Sequence, residues 1–153
     1  MKRLAYLLAI LVTSLAANAE KYISVDKPSL RLYLIEDNDT ILSFPVCAGE
    51  NLGQKRRSGD HKTPEGTFSI SMIQDSSRWY RVGSYGPWFF RLRTPMSTHI
   101  GIHGTDEPES IGTRASEGCI RLHNEDLVKL KPHVFRGMKV IISPDPVIGP
   151  KKD

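Results

Sequence analysis

Cysteine is scarce in this chain: Cys47 and Cys119 are the only two among 153 residues. Two thiols cannot build the multi-disulfide framework of a small secreted scaffold, nor a zinc site of four thiolates. Each cysteine therefore needs a reason of its own. Long apolar runs are missing too, since none reaches the roughly 20 residues that a membrane-spanning helix requires. Charge of one sign is not in large excess. The 21 Lys and Arg against 17 Asp and Glu leave a formal +4, which is too mild to point to nucleic acid. Repeats and low-complexity stretches are absent, and 39% hydrophobic with 25% charged residues is ordinary globular composition. A mainly disordered or collagen-like chain is excluded on that ground. The length suits one domain.

The first 19 residues read as a secretory signal rather than as part of that domain. Lys2 and Arg3 make a positive end, residues 4–15 an apolar run of about a dozen, and Ala17-Asn18-Ala19 a small-x-small cleavage pattern. The run is short for a membrane anchor, and no Cys follows it as a lipid site. The expected mature chain begins at Glu20, with one domain over residues 20–143 and a Pro-containing coil over 144–153. Export sharpens the cysteine question. The pair either forms a Cys47–Cys119 disulfide or keeps a thiol for chemistry.

Most of the domain reads as strand. Leu30, Leu32 and Leu34 alternate with Arg31, Tyr33 and Ile35, and Leu42, Phe44 and Val46 alternate again beyond Asp37-Asn38-Asp39. A period of two on both sides of turn chemistry predicts a hairpin. Pro45 places its second strand at an edge or a bulge. Residues 67–72, 88–92, 99–103 and 138–142 are further strand candidates. Asn124, followed by Glu125, Asp126, Leu127, Val128 and Leu130, predicts one short helix with Asn124 as N-cap and an end near Pro132. Between Gly49 and Pro64 lies a polar loop with Lys55-Arg56-Arg57, either a solvated basic turn or a contact for an anionic polymer.

The chemistry concentrates in Ile100-Gly101-Ile102-His103-Gly104-Thr105 and Ser116-Glu117-Gly118-Cys119-Ile120-Arg121-Leu122. A thiol attacks as thiolate, so it needs a lowered pKa or a base, and histidine is the usual base. His103 closes a β-patterned run that would hold its ring rigidly. Gly118 permits a tight turn that leaves the sulfur uncrowded and aims amides at an oxyanion. Arg121 shares the face of Cys119 if the chain is extended, and a guanidinium there suits a carboxylate. Zinc held by His99, His103 and Cys119 is the rival reading. On a strand, however, four residues span about 13 Å, too far for shared ligation. A papain-like arrangement has its nucleophile before its histidine, whereas here His103 precedes Cys119 by 16 residues. His123 follows too closely, beside the helix start, and reads as a cap neighbour.

From Tyr22 to about Ile142 the chain resembles the L,D-transpeptidase catalytic domain of the YkuD family. The carriers are the hairpin from Ser24-Val25-Asp26 to Phe44-Pro45-Val46, the Lys62-Thr63-Pro64-Glu65-Gly66-Thr67-Phe68 segment, and His103-Gly104 with Ser116-Glu117-Gly118-Cys119-Ile120-Arg121. The resemblance implies a mainly β sandwich or barrel with one or two short helices, needing no metal or cofactor. It implies a periplasmic enzyme, taken as a monomer, acting on peptidoglycan stem peptides as acyl donor and acceptor. Cys119 would be the nucleophile, His103 the base, and Gly104 the residue whose backbone orients His103. Amides near Gly118 and Cys119 would form the oxyanion site, with Ser116 shaping the turn and Arg121 touching substrate. Trp88 and Tyr85, with Trp79, would wall the groove or share it with the core. The final acceptor would be a second stem, a lipoprotein lysine, a D-amino acid or water. Two positions depart from the family. Glu117 stands where a second histidine is common, and Cys47 stands where serine or threonine is common and reads as a small buried side chain. The competing class is a non-catalytic wall-binding module, which has no need of a positioned nucleophile.

Overall fold

The computed structural model describes residues 20–80, 83–95 and 99–146; the segment read as a secretory signal lies outside them. Strand β1 (Lys21–Asp26) buries Ile23 and Val25, and β2 (Arg31–Glu36) buries Leu32 and Leu34. Their period of two turns one face of each strand inward. Asp37 and Asn38 both take positive φ (52° and 69°) in the two-residue turn to β3 (Asp39–Pro45). Asp and Asn tolerate that conformation, which matches the twist of the flanking strands. The expected hairpin is therefore present, and Pro45 ends an edge strand.

The chain continues through β4 (Ala48–Gly49), the polar loop, β5 (Gly66–Asp75), β6 (Trp88–Arg93), β7 (Gly101–His103), β8 (Arg114–Ser116) and β9 (Ile120–Arg121). Helix α1 (Asn124–Leu130) and β10 (Lys139–Ile142) complete it. Eight strands form one sheet in the order β3-β2-β1-β10-β5-β6-β7-β9, and β4 pairs with β8. The sheet curls. Beyond edge strand β3, Cys47 exchanges both backbone hydrogen bonds with Arg121 of β9, at 2.9 and 3.0 Å. The two edges thus meet through one short piece of chain, which shields the hydrogen-bonding groups of β9. One continuous apolar core runs from Ile23 and Val25 through Val140, Ile70, Phe90, Ile102 and Ile120 to Leu127 and Leu130 of α1. Among the described residues the fold is mainly β with a single short α-helix, as expected. The N-cap of that helix is His123, without a side-chain capping bond, and Asn124 is its first residue.

A buried cation fastens this framework. Lys27, in the turn between β1 and β2, is wholly enclosed. Its Nζ lies 2.7 Å from both Asp145 Oδ2 and Glu65 Oε1, and it donates to the carbonyls of Thr63 (3.1 Å) and Gly53 (3.2 Å). Asp145 also accepts from the Gly53 amide at 2.8 Å and from Arg114 at 2.5 Å. Burial alone would raise the pKa of Asp145, but Lys27, that amide and Arg114 together hold it below the ordinary carboxylate value. Residues 144–146 carry no regular secondary structure, yet Asp145 anchors them. That part of the tail is not loose. A buried ion pair costs desolvation to form, but removing one partner strands the other. Lys27→Met is therefore expected to destabilise the domain by about 3 kcal/mol, read as a lower urea midpoint with an unchanged slope.

Candidate active site

Strand register decides which side chains meet. Phe89 of β6 lies opposite His103 of β7, and His103 lies beside Arg121 of β9. Phe89, His103 and Arg121 therefore share one face, with Arg91 and Gly101 two residues away along their strands. Trp88, Phe90, Ile102 and Ile120 occupy the opposite face and belong to the core. Of the two places expected for Trp88, the core is the one observed. It packs on the core with the Lys131 ammonium 4.6 Å from its ring centre, away from the His103 face. Phe89, its neighbour, takes the site position.

His103 is 3% exposed. Its ring stacks on Phe89 (centroids 5.3 Å apart, 12° between planes) and meets the edge of Tyr85 at 5.0 Å. Trp79 packs against both Tyr85 and Phe89. Room for the stack comes from Gly101, where a Cβ would lie 2.4 Å from the Phe89 ring. Nδ1 of His103 lies 2.5 Å from the Gly104 carbonyl. A carbonyl only accepts, so Nδ1 holds the proton and Nε2 keeps its lone pair. Burial lowers the pKa of His103 to about 4. The Gly104 carbonyl opposes that shift and the Arg121 charge adds to it. The imidazole is neutral at neutral pH.

Cys119 immediately precedes β9 and is half-buried. Its Sγ donates to the His99 carbonyl at 3.4 Å. Burial pushes the thiol up to about 11, against the opposing pull of the Gly101 amide and the charges of Arg121, Lys55 and Arg91. Both partners are thus uncharged at rest. Gly118 has φ +134°, and a Cβ there would sit 2.7 Å from the Lys62 carbonyl. Glycine is required on both counts. Ser116 Oγ donates to the Cys119 carbonyl (2.6 Å) and accepts the Gly118 amide (3.1 Å), tying the turn shut. The Gly118 amide is therefore engaged by Ser116 in this structure.

Arg121 is held at both ends. Its backbone pairs with Cys47, and its Nη1 lies 2.7 Å from Glu107 Oε2 and 3.5 Å from Ser110 Oγ. Cys47 is fully buried, and neither cysteine is in a disulfide. The sequence reading overlooked Phe89 and Glu107. Alternation in β6 names Trp88 and Phe89 as occupants of opposite faces, but which face meets His103 depends on a register that no local signal carries.

The sequence profile of the YkuD family, the L,D-transpeptidase catalytic domain, matches residues 20–142. Among relatives, YkuD of Bacillus licheniformis, which carries the L,D-transpeptidase name, is 35% identical over 122 residues, 80% of this chain. The chain spans 64% of that protein, just under two thirds of its length. Among solved structures, an L,D-transpeptidase from Mycobacterium smegmatis superimposes with a TM-score of 0.65 at 17% identity, over 82% of this chain and 59% of that one. The catalytic domain of the E. faecium L,D-transpeptidase gives 0.57 at 20% identity, over 81% of this chain and 97% of that one. These two likenesses concern the fold. The profile match covers most of the chain and includes both sequence stretches that meet in the site, so the chain belongs to the YkuD family of L,D-transpeptidase catalytic domains.

Proposed function

We propose that the protein is an exported, periplasmic cysteine L,D-transpeptidase that acts on peptidoglycan stem peptides through a thioester on Cys119. One observation carries the reading. A neutral histidine, with its proton fixed on Nδ1 by the Gly104 carbonyl, shares a sheet face with the strand that begins beside the thiol. Such a histidine is a ready base, and its pKa near 4 means that acid does not disable it until well below neutral pH.

The steps follow from the groups present. Binding of the donor stem draws the thiol from the His99 carbonyl to Nε2 of His103, which takes its proton as sulfur attacks the carbonyl before the terminal D-alanine. The oxyanion is met by the Cys119 amide, for which the turn supplies no other acceptor among the described residues. Collapse breaks the C–N bond, and the imidazolium returns the proton to the departing amine. The thioester remains. An amine from a second stem, again deprotonated by His103, attacks it to form a 3→3 cross-link and restores the thiol. A lipoprotein lysine, a D-amino acid or water can take the same acceptor place. Tyr85 and the Arg121 guanidinium flank the reacting atoms as substrate contacts, and the basic residues Lys55 and Arg91 favour the anionic sulfur as it forms.

Purified protein incubated with tetrapeptide muropeptides is expected to yield free D-alanine and cross-linked dimers by mass. Tripeptides alone would identify water as the acceptor. Equal inertness of wild type and Cys119→Ala would sink the enzymatic reading. A carbapenem is expected to add to Cys119, and an adduct mapped to Cys47 would contradict the assignment. The resting pair also has a pH signature. Thiolate ultraviolet absorbance, taken as wild type minus Cys119→Ala, is expected to be missing at pH 7 and to rise only as pH climbs toward about 11. The rate of thioester formation should hold between neutrality and mildly acidic pH and fall as His103 gains its proton near pH 4. Thiolate absorbance at neutral pH would show a preformed ion pair instead.

A further inference from the structure

The carbonyl that orients His103 belongs to a peptide group held from its other side. Asn124 reads in the sequence as a helix cap, but its Oδ1 turns back and accepts the Thr105 amide at 2.9 Å, 19 residues away in sequence. The Thr105 N–H and the Gly104 C=O belong to one planar peptide unit and point in opposite directions. One end meets Asn124 and the other meets His103 Nδ1 at 2.5 Å. The result is a continuous chain, Oδ1···H–N–C=O···H–Nδ1. Rotation of that peptide plane would break both bonds together. Donation by the N–H to Asn124 also shifts electron density toward the carbonyl oxygen, so each bond strengthens the other.

The surroundings are built to admit this side chain. A Cβ on Gly104 would lie 2.0 Å from Asn124 Oδ1, and one on Gly86 would lie 2.2 Å from the same atom. Both are far inside contact distance, so Asn124 reaches the peptide through a slot that two glycines keep open. The Gly104 amide is bonded in turn to the Tyr85 carbonyl at 2.9 Å, and the Tyr85 ring borders His103. Gly104 is clamped on each flank, and one of the clamps is a side chain.

We propose that Asn124 is a positioning residue for His103. Acting through the Gly104–Thr105 peptide, it holds the carbonyl that keeps the imidazole proton on Nδ1 and leaves Nε2 free to receive the proton of Cys119. The inference rests on the reading of His103 as the base, but its structural half can be tested without any substrate.

The test uses the full chain with isotope-labelled histidine, as wild type, Asn124→Ala and Asn124→Asp, each checked for folding by circular dichroism. Wild type is expected to show a slowly exchanging, downfield His103 Nδ1 proton. In Asn124→Ala that resonance should move upfield and exchange faster, with thioester formation on a tetrapeptide muropeptide slowed about tenfold. Asn124→Asp keeps the accepting oxygen and should restore both the resonance and the rate. An unmoved Nδ1 resonance in folded Asn124→Ala overturns the proposal. So does an upfield displacement of the resonance in Asn124→Asp, which decides the matter if the alanine variant does not fold. Should wild type itself form no thioester, the proposed function fails while the resonance still decides the role of Asn124.

Discussion

An ammonium group shut away from water cannot be left without anions, and that requirement at Lys27 gathers three separate parts of the chain. The β1–β2 turn supplies the lysine, the loop before β5 supplies Glu65 and two carbonyls, and the tail supplies Asp145. The loop so pinned does more than close a gap. Its residues around Lys62 and Thr63 press on Gly49 and Gly118, at contacts where a Cβ would not fit. The turn carrying Cys119 is therefore backed by a segment that the ionic bonds of Lys27 help to hold. Removal of one partner would loosen this support while leaving the core side chains in place.

On the site itself, burial and charge pull in opposite directions. Three cations act on Cys119, yet burial wins and the resting thiol stays protonated. The same burial keeps His103 unprotonated. In the proposed mechanism the cations matter once negative charge starts to form on sulfur, because interactions in a poorly solvated site are stronger than in water. Phe89 and Tyr85 supply the apolar walls, and Gly101 supplies the space for them. Apolar surroundings thus keep both partners neutral, and under the proposed function fixed charges favour their ionised form only as the reaction proceeds.

Local pattern carried much of this. The alternating leucines around Asp37-Asn38 foretell the first hairpin, since period and turn chemistry are both short-range. The order and spacing of His103-Gly104 and Gly118-Cys119, with the family resemblance, foretell where the site gathers and that a backbone group at Gly104 orients the histidine. What was not legible depends on distant partners. Asn124 sits at a helix start, where asparagine ordinarily caps, and nothing nearby betrays a bond to Thr105. Trp88 and Phe89 are equivalent until strand register assigns their faces. Lys27 in a turn looks like a solvated lysine until Glu65 and Asp145 arrive from 38 and more residues away. Ser116 and Gly118 read as turn formers, but only the folded turn shows that one amide is already spoken for.

Under the proposed function, in which Arg121 touches substrate, its pairing with Glu107 bears on selectivity. A carboxylate that reaches this guanidinium does not meet a vacant cation, because it must displace one that is already bound. The net gain is the difference between two carboxylates of like charge, and most of the Coulomb attraction cancels from that difference. Discrimination then falls to geometry, to whichever carboxylate can face the guanidinium squarely while Glu107, more than half exposed, recovers its hydration in solvent. Negative charge alone would then be a weak passport to Arg121.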